Sequence, residues 1–372
     1  MAYTTTDDPS AHFQVITWTG NTSAPRSFTN DGNSDLQPDI VWAKNRTTAG
    51  TDHELYNSTM GTGTDENLQP NNSNGKGTGT TYGQLTSFDT DGFTVNAGGT
   101  NDDKFNENNS NFVAWQWKVG GGTTATNTTG NGIDSTVQAN TTAGVSLVFY
   151  TGNGTQSGQT VGHGLGAVPK MIISKDRDAT SNVATWRVYH EEIGNTKYLS
   201  LDSDAAEGTF NDWDNTTPTS SVYSVGGSGG YTPTNTNNTE YIALVFAEVQ
   251  GFSKFGKYSG NYQTSTPYNG PFVHCGFQPA FVMIKRTDSA NDWIIFDHKR
   301  DEDQGGNVCN PYIEANTSIA ETNNFYTGVD MLSNGFKVRG YDGNANANGT
   351  YVYMAFAEHP FVTSTGVPNT AR

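Results

Sequence analysis

The sequence predicts an all-β protein built from three tandem antiparallel β-sandwich, jelly-roll-like domains. Three observations carry that expectation. The first is repetition. A Trp/Tyr-Thr/Ser-Gly-Asn turn closes an apolar strand at Trp18-Thr19-Gly20-Asn21, Tyr150-Thr151-Gly152-Asn153 and Tyr258-Ser259-Gly260-Asn261. A Pro follows 16 to 18 residues later (Pro38, Pro169, Pro279), a Lys stands six residues beyond it (Lys44, Lys175, Lys285), and an aromatic-rich strand ends each copy. The second is period. Apolar stretches are short, and no segment sustains a 3.6-residue repeat for more than two turns, which leaves no room for a long helix. The third is composition. Only 33% of residues are hydrophobic and 15% charged, and the balance is Thr, Asn, Ser and Gly, which favour turns and short strands. Aromatic residues, at 12%, supply the cores that Leu and Ile do not.

Residues 1–11 read as a polar leader, with Asp8-Pro9-Ser10 as a turn. Unit 1 spans 12–118. Its strands include Phe13–Trp18, Ile40–Lys44 and Phe112–Lys118, and a hairpin turns on Asp-Gly within Phe88–Val95. The alternation of Phe93 with Val95, and of Phe112, Ala114 and Gln116, predicts half-buried strands. Residues 119–144 are Gly, Thr and Asn with few apolar positions. They read as a partly flexible linker with one short strand near Ser135–Val137. Unit 2 spans 145–250, with strands Val145–Tyr150 and Met171–Lys175 and a hairpin from Trp186–Tyr189 and Tyr198–Leu201. Unit 3 spans 251–361 and follows at Gly251, so units 2 and 3 are expected to pack as a pair while unit 1 hangs on its linker. Residues 362–372 are a polar tail.

A net charge of −17 opposes binding to nucleic acid or to an anionic membrane, and acidity keeps a protein soluble. The N-terminus has neither a basic region nor an apolar stretch, and no segment approaches 18 apolar residues. Neither a signal peptide nor a membrane-inserted segment is expected. Cys275 and Cys309 lack metal-ligand spacing and read as two buried free thiols, their pairing left to geometry.

Catalytic signatures are weak. His163, in Val161-Gly162-His163-Gly164-Leu165-Gly166, could serve as a base. Unit 3 carries His274 at the matching place, which favours a packed or hydrogen-bonded loop residue in both. The glycine run precedes a strand and lacks the helix N-terminus that phosphate binding requires. Asp89 with Asp91, and Asp297 with Asp301, are the carboxylate pairs a glycosidase would need. The first flanks a hairpin turn, and the second reads as a solvated charged loop, Asp297–Asp303. Asp31–Asp35, Asn101–Asp103 and Asp342–Asn348 could hold Ca²⁺ through oxygen ligands, although none matches the helix-flanked calcium loop. Among the tryptophans, Trp18 and Trp117 recur as rings in every copy, which predicts core packing. Trp213 has no counterpart and stands between Asp212 and Asp214. It is the candidate for stacking on a glycan or receptor, with those two carboxylates as its polar flanks.

The leader running into His12-Phe13-Gln14-Val15 resembles the start of a group of marine bacteriophage proteins, as do Leu36–Arg46, Leu85–Phe93, Phe112–Lys118 and Val161–Gly166. The group comprises tandem-repeat, tail-fibre-like structural proteins of the virion. The resemblance implies a virion component with other virion proteins as partners and brings no catalytic residues. A non-enzymatic tail-fibre or appendage subunit for host attachment is the leading expectation, made in the host cytoplasm and carried on the virion. It would assemble as a homo-oligomer, a trimer by analogy, with its sandwiches in a line and a host surface glycan as receptor. A capsid decoration protein and a glycan depolymerase are the rival expectations.

Overall fold

The computed structural model describes residues 3–369 except 78–81, 97, 99–102, 179–183, 267 and 301–307. The described chain is all-β, with antiparallel sheets and a single 3-10 turn at Pro9–Ala11. Each unit contains the same four strands in the same spatial order. An opening strand (Phe13–Thr19, Val145–Thr151, Ser253–Ser259) pairs with the closing strand (Asn111–Trp117, Glu240–Ala247, Thr350–Pro360). The closing strand pairs on its other edge with the Pro-led strand (Ile40–Asn45, Pro169–Asp176, Phe277–Arg286). A fourth strand (Glu54–Asn57, Arg187–His190, Ile294–Asp297) completes the set. In unit 3 the register slips on both sides of Pro279, because Pro has no N–H to give the ladder.

The inner sheets are not half-buried. Ile40–Asn45 is buried at every residue, and so are the closing strands apart from their ends. Even the polar Gln116 is buried, and its Nε2 donates to Asn30 Oδ1 at 2.6 Å. Such a sheet needs cover on both sides. On one side each unit lays a smaller sheet. Unit 1 uses Arg26–Phe28, Phe93–Asn96 and Gln84–Phe88, so the expected hairpin is present. Unit 2 uses Gln159–Gly162 with Val222–Val225, and unit 3 uses four strands between Asn269 and Arg339. On the other side the three inner sheets cover one another. Phe13 stacks on Phe356 at 5.2 Å, Phe356 meets Trp117 at 5.7 Å and Phe246 at 6.0 Å, and Trp115 meets Phe281 at 5.9 Å. All three units therefore share one aromatic core. Full burial of each such ring stabilises by about 2–3 kcal/mol.

The joints between units repeat. The ring N–H before each fourth strand donates to a carbonyl of another unit. Trp186 Nε1 reaches Gln69 O at 3.0 Å, Trp293 Nε1 reaches Ser200 O at 2.9 Å, and His53 Nε2 lies 3.0 Å from Glu314 O. His53 Nδ1 accepts from Trp42 Nε1, so the proton sits on Nε2 and His53 does the work of the two tryptophans. A backbone bond accompanies each contact: Lys76 N to Arg177 O, Glu207 N to Thr287 O, and Glu321 N to Arg46 O, at 2.7–2.8 Å. Each acceptor lies two residues after one of the repeated lysines. Those lysines are buried. Lys175 Nζ donates to Ser73 O of unit 1 at 3.0 Å, and Lys285 Nζ to Asp204 O of unit 2 at 3.0 Å. Burial pulls Lys44, Lys175 and Lys285 down to about 8 against the opposing pull of nearby carboxylates. Unit 2 grips unit 1, unit 3 grips unit 2, and unit 1 grips unit 3. The result is a closed ring with approximate threefold pseudo-symmetry, where the sequence suggested a line.

The expected linker is part of this body. Ala125–Asn127 and Ser135–Asn140 form strands that extend the inner sheet of unit 2 beyond Val145–Thr151. Its Gly run wraps the buried Asp39 carboxylate of unit 1, which accepts from Val119, Gly121 and Gly122 N–H at 2.6, 2.9 and 3.0 Å. Gly121 and Gly122 have φ of 64° and 79°, the left-handed conformation that aims successive N–H groups at one anion. The leader is a strap, with Tyr3 OH on Gly276 O and Thr4 Oγ1 on Gln250 O, both at 2.8 Å. The tail's Ser364 bonds Asp7 of the leader.

The repeated turn has a specific geometry. The Trp/Tyr ring stacks on the first ring of the closing strand: Trp18 on Phe112 at 5.3 Å, Tyr150 on Tyr241 and Tyr258 on Tyr351 at 5.0 Å. Its polar atom donates to a loop carbonyl, of Phe105, Thr234 or Ala345, at 2.7–2.8 Å. The following residue in each loop is Asn106, Asn235 or Asn346, whose side-chain oxygen accepts the N–H of Asn21, Asn153 or Asn261 at 2.9–3.0 Å. A Cβ at Gly20, Gly152 or Gly260 would collide with the carbonyl of Glu107, Thr236 or Ala347. Gly152→Ala is therefore expected to cost about 1–3 kcal/mol, read as a lower Tm. Because the units share one core, calorimetry is expected to show one cooperative transition with equal van't Hoff and calorimetric enthalpies. Three separate transitions would contradict the shared core.

Candidate functional site

The tryptophan singled out in the sequence is not at the surface. Trp213 is 1% exposed and packs edge-to-face on Tyr189 at 5.8 Å inside unit 2. Asp212 is buried beside Arg187, with Nε 3.7 Å from Oδ2, and burial pushes its carboxyl up to about 6 against the opposing pull of Arg187. Arg187 itself lies 4.0 Å from the centre of the Tyr198 ring. Asp214 stays near the surface and accepts from Gly158 N at 2.7 Å, which ties two loops together. The polar flanks correctly marked a turn, with Thr216 N on Trp213 O at 3.0 Å, but that turn folds its ring inward. Trp213 and Asp212 are thus unavailable for stacking on a glycan.

The other candidates resolve as structural groups. Asp89 accepts from Ser87 and Thr94 hydroxyls and Asp91 from Leu36 N, all within the hairpin and its neighbour. Asp297 is not solvated. It is buried with Arg300 at 2.6 Å and accepts from Trp115 Nε1 of unit 1 at 2.9 Å, while Asp301 lies outside the described residues. Glu321 bridges Arg300 and Arg46 at 2.8 Å each, so this network pins unit 3 to unit 1. Asp31 pairs with Lys299 at 2.8 Å, and Asp342 caps Asn344 N. Asn101 and Asp102 lie outside the described residues. Among the described residues, no three His, Cys, Asp or Glu side chains converge as a metal site. Cys275 and Cys309 are buried, their thiols donating to Val273 O at 3.9 Å and Asp297 O at 3.5 Å.

The histidines divide. His163 is buried, with Nε2 3.2 Å from Thr219 O and Nδ1 accepting from Leu165 N, and burial lowers its pKa. His274, its sequence counterpart, is exposed. His190 spans the unit 2 to unit 3 joint, with Nε2 3.2 Å from Tyr353 O, and burial drives it down to about 4. None of these buried imidazoles faces an open surface where a substrate could meet it.

A different cluster is accessible. In unit 3, Tyr262 and Tyr268 from the loop after the opening strand meet Phe325, Tyr326 and Tyr341 from two neighbouring loops. Tyr268 contacts Phe325 and Tyr326 at 5.6 Å, Tyr326 contacts Tyr341 at 4.9 Å, and Tyr262 contacts Tyr341 at 6.1 Å. Phe325 is 53% exposed, Tyr262 50% and Tyr326 41%. The loops are bonded to each other, with Tyr341 N and Asp342 N both on Tyr326 O at 3.1 Å. Sequence reasoning weighed only tryptophans. The available signal was Phe325-Tyr326, a pair of adjacent large rings in a polar loop.

The model of one protein family, described as Domain of unknown function (DUF7483), matches residues 8–360 and so runs through all three units. The chain belongs to that family. No curated protein and no solved structure matches it. A single family match across the whole ring agrees with three units that share one core.

The His190 shift generates a pH test. Its folded pKa lies below the unfolded 6.5, so its contribution is present above pH 6.5 and lost as pH falls toward 4. Between pH 7 and pH 5 the stability advantage of the wild type over His190→Gln is expected to shrink by about 2 kcal/mol. Denaturant titrations at the two pH values measure it, and an unchanged difference would refute the assignment.

Proposed function

We propose that the protein is a non-enzymatic structural component of a bacteriophage virion, a tail-fibre or appendage subunit that contributes to host attachment. We read its three repeats as jelly-roll-like sandwiches joined into one body. One observation carries the reading. The features common to the copies are structural, the turns holding each unit together and the ring donors, with Lys175 and Lys285, closing the ring, while what is particular to one copy lies in outer loops, above all the five-ring cluster of unit 3, where Tyr262, Phe325 and Tyr326 are exposed. A rigid scaffold that presents one differentiated loop face suits recognition and suits the resemblance to tail-fibre-like proteins. Within this reading one chain already makes the contacts of a trimer, so further copies and other virion proteins would join through the outer surfaces.

Capsid decoration is the second reading, and the pseudo-symmetry favours it: a body with three near-equivalent faces fits a threefold position on a shell. Two measurements separate the readings. Fluorescently labelled protein is expected to bind cells of at least one strain in a panel of marine bacteria, and its copy number per virion is expected to be a few tens or fewer. Binding to no strain together with hundreds of copies per virion would replace attachment with decoration.

A further inference from the structure

We infer that the five-ring patch of unit 3 is a binding platform for neutral carbohydrate. The inference deepens the attachment reading and rests on it for the biological source of the sugar.

The fold does not need these rings. Tyr262 occupies the turn position held by Thr22 in unit 1 and Gly154 in unit 2. All three have positive φ, 58°, 74° and 46° in chain order, and each N–H donates to the carbonyl of Asn106, Asn235 or Asn346 at 2.9–3.0 Å. Glycine is the unstrained occupant of that conformation, and a bulky side chain there is an outlier. Tyr268 is a second outlier, at φ 55°. Among the described residues, seven non-glycine positions have positive φ. Four are Asn or Asp, which tolerate it, and one is Thr22. The remaining two are Tyr262 and Tyr268, both in the patch. Two tyrosines in strained backbone thus meet three further rings at a surface where Tyr262, Phe325 and Tyr326 are exposed and Tyr268 and Tyr341 partly so. The shared turn sets the positive φ at Tyr262 but does not call for a tyrosine there, since Thr22 and Gly154 serve in the other copies, and bulky rings in such backbone at one surface site point to a ligand.

The chemistry selects the ligand. Four of the five rings are tyrosines, so the surface offers flat apolar faces edged with hydroxyl groups. That combination fits a molecule with C–H faces and a hydroxyl rim, such as a hexose. The rings are fixed by mutual packing and by the backbone bonds of Tyr262, Tyr268 and Tyr341, so little conformational freedom is lost on binding. Charge argues for a neutral sugar. Arg339, at register with Asn269 on the patch border, is held by Asp330 at 2.5 Å, and the chain carries −17 overall. An acidic glycan would meet repulsion there.

The test is affinity electrophoresis of the full chain in gels containing laminarin, yeast mannan or agarose galactan, with alginate as the anionic comparison. Retardation is expected in at least one neutral gel and not in alginate. Tyr262→Gly restores the residue that unit 2 uses and is expected to leave Tm unchanged or raised while weakening binding about tenfold. Phe325→Ser, at an exposed position, is expected to weaken it similarly. Retardation in no neutral gel, retardation in alginate alone, or full retention by the double variant would overturn the inference, as would patch-dependent self-association without sugar binding. The same variants on cells keep the two claims apart. If wild type and double variant bind cells equally, the platform falls and attachment stands. If wild type binds a neutral polysaccharide but no cells, the platform stands and attachment falls.

Discussion

The structure depends on a sheet with two apolar faces. Each unit's inner sheet is buried on both sides, so one partner cannot satisfy it. A small second sheet covers one face, and the two other inner sheets cover the other. Removing any unit would expose Phe13, Phe246, Phe281 or Phe356 to water. The central rings therefore decide that three copies fold as one body. A 372-residue chain with few aliphatic side chains gains by this arrangement, because pooling three faces makes a larger core than each copy could build alone.

Directional bonds give that pooling its geometry. Apolar contact alone would let the sheets slide. The Trp186, Trp293 and His53 N–H groups each meet one carbonyl across a joint, backbone bonds lie beside them, and Lys175 and Lys285 each spend one of their donors on a carbonyl of another unit. Unsatisfied buried donors are costly, so misaligned rings are penalised more strongly than aligned ones are rewarded. The joint between units 1 and 3 adds the Arg46–Glu321–Arg300–Asp297 network. That joint closes the ring between the units farthest apart in sequence, where chain connectivity gives no help.

Much of this was legible in the residues. The turns, the Pro-led strands and the closing strands all occur where their patterns placed them, because ring stacking, close backbone approach and strand period are local. The hairpin at Asp89–Gly92 formed for the same reason. The linker misled because its Gly and Thr suggested flexibility, whereas Asp39, far away in sequence, organises it. Trp213 misled because polar neighbours mark a turn without saying which way its ring points. The rings of unit 3 were overlooked because Tyr262, Phe325 and Tyr341 lie far apart in sequence and meet only when three loops converge.

The sequence by itself determined that the protein is all-β, that it repeats three times, and which residues make each turn, since these follow from side-chain type and short-range spacing. It also held an unread clue. Tyr241-Ile242-Ala243-Leu244-Val245-Phe246 is a continuous apolar run, the mark of a strand buried on both faces. Only the tertiary structure decided what covers the second face, and hence that the copies close into a ring rather than extend in a line. It also decided which rings are left in water. Both outcomes depend on contacts between residues far apart in sequence, and no local pattern records which distant surface a strand will meet.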